Sequence, residues 1–448
     1  MLIEFKVSNY RSIREEQTFS LVASNSDKEL PSCVIECDLP SLSGVKFLKG
    51  AAIYGANASG KSNVVQAIRF LAEFVKGSVT KLKPGDSTGA EPFKLDRTSA
   101  SEPSKFEITF VADGVRYLFG LSVTEQRVVE EYLVAYPKGA PQRWYHRAFN
   151  EETNTYTWAK SSTAFKHDKD LQEKTRDNSL FLSVGPQFNH PQLTQVFNWF
   201  ETNLHFIQLA DEVLTPEATA KLITQPSHHD RLLNLLRSAD IGITDAKIQE
   251  KDAFSLAELR QKVSPDLLPE MESLITAIES FNAKAKAKFS PDKVAEPVKR
   301  MEINLTHKAE GIDPVSLDYE EEESAGTQRF FSLIGPWTDI LDNGYTAFID
   351  EIETSLHPIL VRELLALLFS DKGNPKGAQI VFTTHNPILL DSTLLRRDQI
   401  WFTEKSPAGA THLYPLTDYK PRKDEALAKG YLAGRYGAIP YLPDGLKL

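Results

Sequence analysis

Cysteine is almost missing from this chain of 448 residues: Cys33 and Cys37 are the only two, with three residues between them and no histidine nearby. That excludes a disulfide scaffold and speaks against a four-ligand zinc site, leaving two ordinary reduced thiols. Long apolar runs are missing too, none approaching the ~20 residues that span a bilayer. The opening "MLIEFKVSNYRSI" alternates apolar and polar residues as a strand does, without the basic leader and apolar stretch of an export signal. A soluble, cytoplasmic protein with no membrane partner is therefore expected. A basic excess is also absent: the formal net charge of −10 disfavours whole-surface attraction to nucleic acid, while leaving room for a local basic groove. No internal repeat, low-complexity tract or sustained heptad is present, so a long coiled coil is not expected. What remains is ordinary globular composition, 41% hydrophobic and 25% charged, enough for one large core or two to three smaller ones.

Three stretches organise the chain. Residues 1–190 read as strand, connection, strand ("VKFLKGAAIYG"), loop and helix, followed by an antiparallel β lobe. In the helix, Val64, Ile68, Leu71 and Val75 recur at helical spacing. In the lobe, "KFEITFVADGVRYLFGLSV" pairs two alternating strands across Asp113-Gly114. Residues 191–300 read as a short helical arm, with "RLLNLLRSADIGI" and "ESLITAIESFNAKAKAKF" as its clearest pieces. Residues 301–448 resume alternation of strands and helices, as an α/β unit would.

The chemistry concentrates at four places. Gly55-Ala56-Asn57-Ala58-Ser59-Gly60-Lys61-Ser62 fits G-x-x-x-x-G-K-[ST] between a strand and a helix. Gly55 and Gly60 let the backbone turn tightly so that several N–H groups can face one anion, aided by the positive end of the helix. Lys61 can reach the β and γ phosphates, Ser62 can ligate magnesium through its hydroxyl, and Asn57, Ser59 and Asn63 complete the nucleotide cradle. In "YTAFIDEIETSLHP" an apolar strand ends at Asp350, suited to holding magnesium, and Glu351, suited to deprotonating the attacking water. In "GAQIVFTTHNPILL" another apolar strand ends at His385, placed to hydrogen-bond the γ phosphate. Last, Ser324-Ala325-Gly326-Thr327 precedes an apolar helix that Ser324 can cap, while Glu320 to Glu323 read as a solvated charge run.

Phosphate loop, S-x-G-T stretch, Asp350-Glu351 and His385, in that order, resemble the ABC-type ATPase heads of the SMC, recombination-repair and OLD class. "VSNYRSI" resembles the first strand and turn of those heads. "EPFKLD", "DEIETSLHP" and "KGYLAGRYGAIPYL" resemble the stand-alone ATPases of bacterial phage-defence modules, the RloA/AbiL type. The resemblance implies an α/β fold: an ABC-type P-loop ATPase head with an antiparallel β lobe and a short helical insertion. It also implies ATP and Mg2+, a homodimer or higher oligomer with two nucleotides between heads, Ser324 and Gly326 acting in trans, and Arg11 contacting nucleotide. The stretch S-A-G-T-Q departs from the transporters' L-S-G-G-Q, and His357 stands where they carry Asp. The expected function is a Mg-dependent ATPase that senses infection and controls an effector partner, such as a TOPRIM nuclease, in anti-phage defence. A repair or chromosome-handling ATPase is the alternative. A nuclease domain of its own is not expected, since only about sixty residues follow His385, short of a domain's usual length.

Overall fold

A computed structural model describes residues 1–208, 215–239, 242–252, 269, 299–354 and 356–440. The chain divides into two units, Met1–Leu214 with Trp337–Leu448, and Thr215–Pro336.

The first unit is built on two sheets. One has six strands in the order Leu204–Gln208, Thr346–Asp350, Gln379–Thr384, Gly50–Gly55, Ile400–Lys405 and Thr411–Pro415. The first five run parallel and the last is antiparallel. A parallel strand covered on both faces has no solvent side, which explains why "GAAIYG" and "QIVFTT" show no polar alternation and are buried at every position. The second sheet has seven antiparallel strands, ordered Thr155–Trp158, Gln142–Asn150, Val128–Tyr136, Val115–Val123, Ser104–Ala112, Leu2–Ser8 and Gln17–Ser20. Here alternation returns: Phe106, Ile108 and Phe110 point inward while their neighbours are partly or fully exposed. The helix Lys61–Gly77 buries Val64, Ile68, Leu71 and Val75, one stripe at 3.6-residue spacing, in a core cluster that also takes in Ile53 of the parallel sheet and Phe106 of the antiparallel one.

A buried ion pair lies in the antiparallel lobe. Glu131 and Arg147 sit opposite each other on neighbouring strands, at 0% and 1% side-chain exposure, with Arg147 Nε 2.9 Å from Glu131 Oε2. Glu131 also accepts the Tyr145 hydroxyl (2.8 Å) and the backbone N–H groups of Phe181 (2.9 Å) and Leu182 (3.0 Å). Arg147 donates in addition to the Ser179 carbonyl.

The second unit holds the helices Glu217–Ile223 and Pro226–Ser238 and a three-stranded antiparallel sheet, Ile243–Asp252, Lys299–His307 and Val315–Asp318. The start of the helix Ala325–Asn343 belongs to it. The Thr219 hydroxyl donates to the Phe331 carbonyl of that helix and accepts from the Gly335 N–H at 3.0 Å. It thereby serves two backbone groups in the turn that leads into Pro336.

Three expectations need correction. The stretch 191–300 is not helical throughout: Leu204–Gln208 extends the parallel sheet, and Ile243–Asp252 pairs with Lys299–His307. Five residues are too few to show a period, and the second strand buries, among its described side chains, only Ile243 and Ala246 amid charged neighbours, so both depend on partners distant in sequence. "ESLITAIESFNAKAKAKF" lies outside the described residues. These pairings also explain why the units divide near 214 and 336 instead of at 190 and 300. Second, "VKFLKGAAIYG" is two strands, Lys46–Leu48 and Gly50–Gly55, separated at Lys49, whose buried ammonium meets Asp371 at 2.9 Å. Third, the acidic run is not wholly solvated. Asp318 Oδ1 accepts the N–H groups of Glu320 and Glu321, folding the run into a turn that directs Glu323 onto His307 Nε2 at 2.5 Å.

Candidate active site

The carboxyl ends of the parallel strands meet at one edge, the usual place for ligand chemistry in such sheets. Register fixes which residues arrive there. Thr384 lies beside Tyr54, Thr403 beside Gly55, and Phe382 beside Ile349, so the phosphate loop, the acidic pair and His385 emerge from adjacent strands.

The phosphate loop is shaped by its glycines and tied down by hydroxyls from the far end of the chain. A Cβ at Gly55 would collide with Ser59 Oγ and Thr403 Oγ1. Gly60 has φ +107° and lies against Thr411, leaving no room for a side chain. The Ser59 hydroxyl bonds Thr403 Oγ1 at 2.6 Å, and Thr411 Oγ1 donates to the Ser59 carbonyl at 3.0 Å. Asn57 is exposed at the loop's tip. Asn63 on the first helical turn donates to Ser12 Oγ at 2.6 Å, and Ser12 in turn bonds Thr411 at 2.7 Å. Lys61 is buried, its ammonium donating to the carbonyls of Gly55 (2.8 Å) and Ala56 (3.3 Å). Burial lowers its pKa below the usual 10.5, and the carboxylates of Glu351, Asp350 and Glu353 pull it back upward. One ammonium and three carboxylates therefore share the same electrostatic neighbourhood.

The acidic loop is stitched to the strand beside it. The Thr383 hydroxyl donates to Asp350 Oδ1 at 2.5 Å and accepts the Glu351 N–H at 2.8 Å, while the Thr383 carbonyl accepts the Ile352 N–H at 3.2 Å. Glu351 has φ +52°, in the left-handed region. Glu353 closes the stitch in the opposite direction. Its Oε1 accepts the His385 backbone N–H at 2.8 Å and lies 3.0 Å from His385 Nδ1.

Arg11 also has positive φ, but its guanidinium is engaged by Glu91 at 2.8 Å, and the Arg11 N–H donates to the Glu91 carbonyl. The neighbouring Ser12, not singled out from sequence, accepts from Asn63 of the phosphate-loop helix, and Tyr10 of the same turn donates to the Gln66 carbonyl of that helix. Ser324 and Gly326 belong to the second unit. There Ser324 Oγ accepts the Thr327 N–H at 3.2 Å as a helix cap, and both residues are at least partly exposed. Sequence reasoning missed Thr383, Thr403, Thr411 and Glu353. For Glu353 a signal was present, since it follows the acidic pair at alternate spacing in "DEIE".

The donor set suits a nucleoside triphosphate with a hard cation: Ser62 and Asp350 would offer oxygens to magnesium, and the loop and Lys61 would offer N–H groups to phosphate. Lys61 already holds two carbonyls of the loop, the posture of a cation that phosphate oxygens can take over.

A family model described as "AAA domain, putative AbiEii toxin, Type IV TA system" matches residues 51–391. Among solved structures, the chain is similar to the SMC head domain from Thermotoga maritima, at 11% identity and a TM-score of 0.38, covering 92% of this chain and 98% of that one. It is also similar to an SmcHead bound to the C-winged helix domain of ScpA, at 12% identity, a TM-score of 0.40 and coverage of 92% and 97%. A third is the Smc head domain with an extended coiled coil bound to the C-terminal domain of ScpA, derived from Pyrococcus furiosus, at 12%, 0.39, and coverage of 97% and 99%. No curated protein sequence matches. No helix among the described residues is long and apolar enough to cross a membrane. With the family match running from the phosphate strand past His385, the chain belongs to this AAA domain family and is a P-loop ATPase of mixed α/β fold.

Proposed function

We propose that the protein is a Mg2+-dependent ATPase whose nucleotide cycle drives two heads together and apart, controlling an effector partner in anti-phage defence. The observation that carries the ATPase part is the convergence of Lys61, Asp350, Glu351 and His385 at the ends of adjacent parallel strands. Bound magnesium would supply charge neutralisation at the β and γ phosphates, held by Ser62 and Asp350. Glu351 takes the proton of the attacking water, and His385 donates to the γ phosphate, so that Lys61 and the loop N–H groups offset the charge that develops there. The exposed Ser324 and its helix start fit a role across an interface with a second head. The defence setting draws on the resemblance of the loop, acidic block and tail to phage-defence ATPases, and on the toxin–antitoxin description of the family.

Purified protein is expected to hydrolyse ATP only with Mg2+ and to associate when ATP is bound, read by light scattering. Ser324→Arg should abolish that association while leaving ATP binding by a single head within about threefold of the parent. ATP-driven association in this variant removes Ser324 from the interface. Tight, salt-dependent binding of DNA that stimulates turnover would favour the chromosome-handling alternative.

A further inference from the structure

The site contains a third carboxylate for which the ATPase reading has no task. Glu353 follows Asp350 and Glu351 on the same loop, yet its surroundings differ from theirs. Its side chain is 11% exposed, and its Oε1 is occupied by two nitrogens of one residue: the His385 backbone N–H at 2.8 Å and His385 Nδ1 at 3.0 Å. An oxygen so occupied is poorly placed to take a proton from water. Its Oε2 is buried, with no hydrogen-bond partner among the described residues, so it does not present a solvated face to a reacting group either. The His385 ring, by contrast, is 58% exposed.

We infer that Glu353 is a positioning residue that fixes the tautomer and direction of His385. A ring nitrogen 3.0 Å from a carboxylate oxygen must carry its proton, because two lone pairs facing each other at that distance repel. With the Nδ1 proton held by the carboxylate, Nε2 is the atom at the ring's other edge and donates to the γ phosphate when the ring carries both protons, and the backbone bond to the same oxygen prevents the turn after the strand from swinging it away. The arrangement is reciprocal. Thr383, two residues before His385, holds Asp350 and Glu351, while Glu353, on their loop, holds His385. Movement of either element is transmitted to the other. This inference rests on His385 acting at the γ phosphate as proposed above.

The test uses the full chain with 15N-labelled histidine. The His385 ring signals, assigned by their loss in His385→Ala, should report a proton on Nδ1 in the parent, and should shift toward Nε2–H in Glu353→Ala. Glu353→Gln keeps an acceptor oxygen and should retain the parental tautomer. In turnover, Glu353→Ala should lower kcat about 10- to 100-fold, the usual range for losing a partner that orients an active group, with KM within about threefold. The double variant Glu353→Ala/His385→Ala should be no slower than His385→Ala, since one residue acts through the other. If the alanine variant does not fold, Glu353→Met fills the space without an acceptor and replaces it. An unchanged tautomer in Glu353→Ala, or losses that multiply in the double variant, overturns the inference. The nuclear magnetic resonance measurement needs no turnover, so an inactive parent would count against the ATPase reading while the tautomer still decided the role of Glu353.

Discussion

Two sets of charges in the same unit are built on opposite plans. In the antiparallel lobe, Glu131 faces Arg147, a tyrosine hydroxyl and two backbone N–H groups, so the carboxylate is surrounded by donors from its own chain. At the ends of the parallel strands, Lys61 is buried against two carbonyls of its own loop, with three carboxylates near enough to act on its charge. The first set is complete within the fold. The second is arranged so that its groups can exchange partners, and that difference separates a structural ion pair from a site more clearly than burial or charge does.

The contrast can be broken at several points. The largest change in free energy is expected from Arg147→Met, which leaves Glu131 buried without its cation and should cost about 3–5 kcal/mol in urea unfolding. ATP turnover per folded molecule should stay at the parental level, and a loss of turnover without loss of stability would merge the two sets. Lys61→Ala should do the reverse: ATP affinity in equilibrium binding should fall by at least about 100-fold, while the midpoint of thermal unfolding without nucleotide does not fall. Removing a desolvated ammonium relieves a burial cost, so the variant can be more stable.

Glu351→Gln should leave ATP bound and slow hydrolysis by about 100-fold or more, since the amide keeps the size but cannot accept the water's proton. Asp350→Asn should instead weaken Mg2+-dependent binding; single-turnover and binding measurements on both variants distinguish the two. The smallest effect concerns pH. The folded-state pKa of Lys61 lies below 10.5, so between those values the unfolded chain holds more protons, and stability without nucleotide should rise with pH. ATP affinity should fall over the same range, by up to about tenfold per pH unit, because phosphate requires the ammonium. Lys61→Arg should flatten that affinity profile.

How much of this could be read beforehand depends on how far each signal extends along the chain. The phosphate loop, Asp350-Glu351 and His385 each end a contiguous apolar run, so the fold class was legible, and these candidate residues could be picked out, without any pairing. Thr403 and Thr411 reach the phosphate loop only because Ile400–Lys405 is placed beside Gly50–Gly55, a register no local pattern announces. Thr383 and Glu353 likewise gain their meaning from the alignment of Gln379–Thr384 with Thr346–Asp350. Arg11 and Ser12 show the limit of a turn read by residue type. Glu91, distant in sequence, takes the cation, and the small hydroxyl makes the connection.

The backbone at Glu351 has one further consequence. Its φ of +52° is a conformation in which a side chain costs about 1–2 kcal/mol and glycine costs little. A chain selected only for folding well would drift at this position toward glycine or asparagine, losing the carboxylate as it gained stability. Retaining glutamate there runs against that drift, so a collection of hyperstable variants chosen without regard to activity should be enriched in inactive ones changed at this residue. On the reading proposed above, the position sets durability against work, a conflict that the buried strands Gly50–Gly55 and Gln379–Thr384 do not face.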